Sequence, residues 1–188
     1  MSKINYNLMN NEQLIKLIVD NLHNINYENL YKILLLLSTI KLIPTQYAGK
    51  KKYGDFKWMI DRKEYDDALF IFNDNYEAFV SNSKKAGGGN AVIRPYKYKN
   101  LPRAAGIPTG HWDGKSKKGI GFSVLDIETK KIIDESLNVI KNLLDTGRYS
   151  RVFYSGKKDG TLGTKIFVVG DDVKDYIVSA LQKLVFSY

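Results

Sequence analysis

The 188-residue chain contains no cysteine, which excludes a disulfide framework and a thiolate metal site. Histidine is nearly as scarce: His23 and His111 stand far apart, so no histidine-built metal centre is expected and no cofactor is called for. A long hydrophobic run is also missing. Residues 30–43 are the most apolar stretch, but they carry Lys32 and Lys41 and fall short of the roughly 20 residues that cross a bilayer. They read as a core helix. Asn10, Asn11, Glu12 and Asp20 break up the opening residues, which therefore do not read as a signal peptide. No membrane partner is expected, and the expected location is cytoplasmic, with a nucleus or a virus particle assembled in the cytosol left open.

Acidic residues are missing from one segment in particular. Residues 84–120 hold nine Lys and Arg against Asp113 alone, and seven of the fifteen glycines. The net charge is +9, so nearly all the excess sits there. A local excess of this kind points to an anionic partner.

Hydrophobic spacing predicts a helix from Asn10 or Asn11 to about Leu22, and a second starting at Asn26 and closed by Pro44. Together they make an N-terminal helical hairpin, an extension over residues 1–45. Residues 46–65 read as a connector in which the basic triplet 50–52 is solvated surface. An α/β domain over 66–188 follows. Residues 68–73 form a continuous apolar run ended by Asn73-Asp74-Asn75, as suits a strand buried on both faces. Strands are also expected at about 151–155 and 165–169 in the same sheet, with short candidates at 91–94 and 121–125. Helices are expected over 76–80, over 132–145 with Gly147 just past its end, and from Asp171 onward. Residues 105–110 read as a rigid turn. The alternation predicts a mixed or parallel sheet flanked by helices.

Ligands of such sheets bind where loops leave the carboxyl ends of strands. Three stretches qualify: Asn73 to Asn75, then Gly87-Gly88-Gly89-Asn90, then the loop after the strand at Val152 that contains Gly160, Thr161, Leu162 and Gly163. Glycines let backbone N–H groups approach an anion, and asparagine offers both donor and acceptor to sugar hydroxyls. There is no G-x-x-x-x-G-K-[ST] motif, so a P-loop hydrolase is disfavoured. Lys84, Lys85, Arg94, Lys97, Lys99, Arg103 and Trp112 interleave cations with aromatics, as phosphate contact and base stacking would need. A flexible turn and a solvated basic loop are the plain alternatives for these stretches.

The sequences DALFIFNDN, AGGGNAVI and RVFYSGKKDGTLGTKIF, in that order, resemble the macro domain, an ADP-ribose-binding module, over roughly residues 66–185. The resemblance implies that Asn73 or Asn75 lies near the distal ribose and that Gly87, Gly88 and Gly89 line that side of a cleft. It implies that Gly160, Thr161, Leu162 and Gly163 wrap the diphosphate. It further implies a reader of ADP-ribose or a related nucleotide, or a metal-independent hydrolase of ADP-ribose or a phosphoester. The second reading is a nucleic-acid-binding protein that uses 84–120 as a phosphate-contacting arm, associated with a viral genome.

Overall fold

The computed structural model describes residues 11–21, 26, 28–30, 33, 40–114, 118–164 and 167–188. In chain order the elements are helix α1 (Asn11–Asp20), strand β1 (Lys41–Thr45), helix α2 (Phe56–Ile60), a 3-10 turn (Lys63–Tyr65), strand β2 (Ala68–Asp74) and helix α3 (Tyr76–Val80). A 3-10 helix (Gly89–Tyr98) leads to strands β3 (Ala104–Pro108), β4 (Gly110–Asp113) and β5 (Lys118–Gly121). Helix α4 (Ile127–Leu144), strand β6 (Arg151–Ser155) and helix α5 (Asp171–Phe186) complete the chain. No helix among the described residues is long and apolar enough to cross a membrane.

Four strands form one parallel sheet in the order β1-β6-β2-β3, and β4 pairs antiparallel with β5 in a separate ribbon. The apolar run of β2 takes an inner position. Leu69 and Ile71 enter a core with Ile133 and Ile140 of α4 and Val173 and Ile177 of α5. Ala68, Phe70 and Phe72 enter a second core with Phe56, Met59 and Ile60 of α2 and Ile93 of the 3-10 helix. The sheet is therefore covered on both faces, as an all-parallel sheet requires. Phe70 stacks on Phe153 of β6 with ring centroids 5.3 Å apart and meets Phe56 edge-on at 5.2 Å. Each fully buried ring of this size contributes about 1.5–3 kcal/mol of transfer free energy. Asp126 caps α4, its carboxylate accepting the Thr129 N–H at 2.7 Å.

The expected strand at β2, the one at β6 and the helices α3, α4 and α5 are present, with α4 starting five residues early at Ile127. Asn26 caps as expected, its Oδ1 accepting the Asn29 N–H at 2.8 Å. Most of the second expected helix, and its packing against the first, lies outside the described residues. Five expectations are corrected. Residues 41–45 are an edge strand, not the end of a helix. Pro44 is tolerated there because an edge strand bonds to one neighbour only. Residues 104–108 are the opposite edge strand, not a turn. Their small side chains fit where Gly106 passes so close to Asp74 and Phe72 that a Cβ would stand 2.6 Å from the Asp74 carboxylate. Residues 91–94 lie in the 3-10 helix, and of 121–125 only Gly121 is strand. Residues 167–169 are irregular; Phe167 and Val169 are buried while Val168 is 90% exposed, which imitates strand alternation without a ladder. Residues 165 and 166 lie outside the described residues.

At the start of β6, Asp67 accepts hydrogen bonds from the Ser150 hydroxyl and from the Arg151 guanidinium, which sets the Ala68↔Arg151 register. The Arg151 hydrogen bond, reinforced by Ser150, brings the Asp67 carboxyl down from 3.8 to about 2. A depressed carboxyl stabilises the folded state above its unfolded pKa, and that contribution is lost as pH falls from about 4 toward 2. The pair is partly exposed, so its worth is below about 1 kcal/mol. Urea unfolding of Asp67→Asn should show a smaller loss of stability between about pH 5 and pH 2.5 than wild type. An unchanged pH dependence would count against this role.

Candidate functional site

The chain runs from β1 past one strand position to β2, continues to β3, and then returns to insert β6 between β1 and β2. The connections after β1 and β2 carry α2 and the 3-10 helix on one face, and the segment after β6 leads to α5 on the other. Loops thus diverge at the adjoining carboxyl ends of β1, β6 and β2. This is where a parallel sheet opens a crevice. A cleft of about 830 Å³ lies there.

Its floor is made by the strand ends Thr45, Ser155 and Asn73. One wall is Gly87, Gly88, Gly89, Asn90 and Val92; another is Gly156, Lys157, Gly163, Thr164 and Phe167. The third, from Gln46, Tyr47, Lys50, Lys51, Asp55 and Lys57, belongs to the stretch expected to be a mere connector. Two asparagines tie the walls to the floor. The Asn73 side-chain amide donates to the Gly163 carbonyl at 2.7 Å, and the Asn90 amide donates to the Ser155 Oγ at 3.0 Å. Both were expected at the site, and their amide groups join its walls.

The other expected residues separate into groups. Asn75 does not line the cleft; its Oδ1 caps α3 by accepting the Ala78 N–H at 2.7 Å. Gly160, Thr161 and Leu162 also stand off it. They form the far end of a small hairpin closed by the Lys157 N–H to Thr161 carbonyl bond at 2.8 Å and the Gly156–Leu162 bridge. Leu162 is buried in the core, and Gly160 takes φ +88 at the turn, its carbonyl accepting from the Tyr154 hydroxyl at 2.5 Å. Burial pushes the Tyr154 hydroxyl up to about 12, so it remains a donor.

None of the expected phosphate contacts lines the cleft. Arg94 is buried and paired with Asp74, Nη2 to Oδ1 at 2.5 Å, while its Nη1 donates to the Lys85 carbonyl at 2.6 Å. Arg103 reaches Asp66 at 3.0 Å and the carbonyls of Ile60 and Tyr65. Lys84 lies 5.6 Å from the Tyr98 ring and Lys99 3.8 Å from the Tyr96 ring; Lys97 lies between Phe79 and Tyr98. Three of the segment's lysines therefore lie beside aromatic rings. Burial pushes the Lys97 ammonium down, with Asp74 opposing. Lys85 is exposed. Trp112 is half exposed on the ribbon, its backbone N–H donating to Glu77 at 2.9 Å. Residues 115 and 117 lie outside the described residues.

The cations that do line the cleft are Lys50, Lys51, Lys57 and Lys157. Lys57 donates to Asp61 at 2.8 Å and to the Tyr96 hydroxyl at 2.7 Å, bonds that raise its pKa in that order. Asp55 is the one carboxylate of the lining, and its Oδ2 accepts the Lys51 backbone N–H at 2.9 Å. Among the described residues no group of three His, Cys, Asp or Glu is placed to hold a metal ion. The cleft therefore offers backbone amides, two asparagines, hydroxyls and ammonium groups, a set suited to an anion carrying sugar hydroxyls. No family model, curated protein or solved structure matches the chain significantly.

Truncating Arg94 would leave Asp74 charged and buried without a partner, at a cost of about 3–5 kcal/mol. Urea unfolding of Arg94→Met should show that loss, and Asp74→Leu/Arg94→Met should recover much of it. A loss below about 1 kcal/mol in the single variant would place the pair outside the core.

Proposed function

We propose that the cleft binds a nucleotide of the ADP-ribose class. The observation that carries this reading is the convergence of Asn73, the three glycines 87–89 and Gly163 at the carboxyl ends of three parallel strands. Those stretches carry the resemblance to the macro domain. The cleft volume of about 830 Å³ falls within the range of small-molecule sites, about 300–1,000 Å³. The Gly89 and Asn90 N–H groups precede the first bond of the 3-10 helix, from the Ala91 N–H to the Gly88 carbonyl at 3.1 Å, and so can turn to a ligand's oxygens. Asp55, the one carboxylate of the lining, is engaged by the Lys51 backbone, which favours a binding module over a hydrolase.

The nucleic-acid reading rests on the charge of 84–120. It loses Arg94 and Arg103 to internal partners and has no cation in the cleft.

Thermal unfolding with ADP-ribose, NAD, ATP and a short DNA duplex tests the two together. A ligand at about 100 times its Kd adds about 2.7 kcal/mol, a rise of roughly 5–10 °C for a chain of this size. ADP-ribose should give it and the duplex should not. Gly88→Glu should abolish the rise. Gly88 is exposed with φ −77 and ψ 157, so the substitution strains no backbone, and the new carboxylate would face an anionic ligand. If Gly88→Glu responds to ADP-ribose as wild type does, the glycine wall does not contact the ligand.

A further inference from the structure

We infer that the wall formed by residues 46–57 is an anion clamp for a diphosphate, in which Lys50 and Lys51 act together with Lys157 from the opposite wall. The assignment deepens the nucleotide reading of the same cleft by naming the group that is held and the residues that hold it.

Three observations carry it. Lys50, Lys51 and Lys157 line the cleft and are exposed, and the ion pairs found among the described residues include none of them, although Asp159 and Asp171 interact electrostatically with Lys157 at longer range. Three lysines along one cavity make its potential positive, which favours an anion there. The cations also come from two different walls. A diphosphate carries charge on non-bridging oxygens at both phosphorus atoms, so it can engage both walls at once.

The third observation is the backbone. Gly49, Lys51 and Gly54 adopt φ +128, +57 and +95. Lysine at positive φ carries strain of about 1 kcal/mol or more, and such outliers persist where the surroundings enforce them. Here Asp55 enforces it through the Lys51 N–H. Gly54 is packed so tightly that a Cβ would stand 2.1 Å from the Gln46 carbonyl. The wall is held in shape before any ligand arrives, with its two lysines adjacent in the chain. A solvated basic triplet would need neither the strain nor the packing.

The test is isothermal titration of inorganic pyrophosphate and of ADP-ribose into the full chain at low and moderate salt. Lys50→Gln/Lys51→Gln should weaken both at least tenfold and flatten the salt dependence, with an unchanged unfolding midpoint. Lys50→Arg/Lys51→Arg should restore most of the affinity, which a merely structural defect would not allow. Lys157→Gln should weaken pyrophosphate binding several-fold by itself.

If ADP-ribose binds and the double glutamine variant binds both ligands within twofold of wild type, the clamp is wrong and the nucleotide reading stands. If pyrophosphate binds in a lysine-dependent way while ADP-ribose does not bind, the clamp stands and the nucleotide reading falls. Wild type that binds neither overturns both.

Discussion

The buried ion pair between Asp74 and Arg94 is the contact on which the site depends. Asp74 is the last residue of β2, and everything at that strand end is arranged around it. Its carbonyl accepts the Thr109 N–H at 3.0 Å, its carboxylate accepts the Asn75 N–H at 2.9 Å, and its neighbours Asn73 and Asn75 stitch a loop and cap a helix. Arg94 carries the constraint across to the glycine wall through the Lys85 carbonyl. Removing both charges from water is expensive, so the pair is not an efficient source of stability. What it supplies is position, because either group left alone would be a buried charge. Two glycines follow from it. A Cβ at Gly106 would stand 2.6 Å from the Asp74 carboxylate, and one at Gly87 would stand 2.8 Å from Arg94 Nη2. Part of the glycine richness that suggests a ligand cradle is therefore room for a salt bridge.

Legibility in the sequence followed from how local each determinant is. Strand β2 and helices α4 and α5 declare themselves because five or more apolar residues in a fixed period have no other use. The edge strands do not. β1 carries Pro44 and joins a helical-looking run, and β3 is built from Ala, Ala, Gly, Ile and Pro, which spells a turn by composition. Both become strands through non-local pairing, β1 with β6 more than a hundred residues later and β3 with β2. Residues 167–169 err the other way. Their in-out pattern comes from Phe167 and Val169 packing into the core beside the ribbon, where Gly121 passes so close that a Cβ would stand 2.1 Å from the Val168 carbonyl.

The candidate site was half legible for a related reason. Asn73, the glycines 87–89 and Gly163 could be found because they follow apolar strands and have the right chemistry. The cations could not be found by counting charge along the chain. Residues 84–120 look strongly basic in isolation, yet Arg94 and Arg103 take Asp74 and Asp66 from residues 48–83 as partners. Residues 48–83 hold six cations against seven acids, a balance that gives no sign of an anion site. They supply three of the four cations that line the cleft. Two ion pairs leave most of the excess charge on 84–120, but the cations that the fold places at the cleft come from 48–83 and from Lys157.

The placement of those cations bears on how a ligand would be held. The three walls are anchored independently of any ligand: the glycine wall by Arg94, the loop after β6 by Asn73, and the wall of residues 46–57 by Asp55 and the packing of Gly54. Ordering a loop costs about 1–2 kcal/mol of backbone entropy per residue, and a site that must fold around its ligand subtracts that from affinity. Here the cost is met when the sheet forms, because each anchor starts from a strand end or from a residue packed against one. The remaining barrier to an anion is desolvation of Lys50, Lys51 and Lys157, which are exposed and whose compact ammonium groups are strongly hydrated. Affinity in this cleft should therefore be governed by charge and salt more than by conformational change, and the geometry of the walls selects which anion fits.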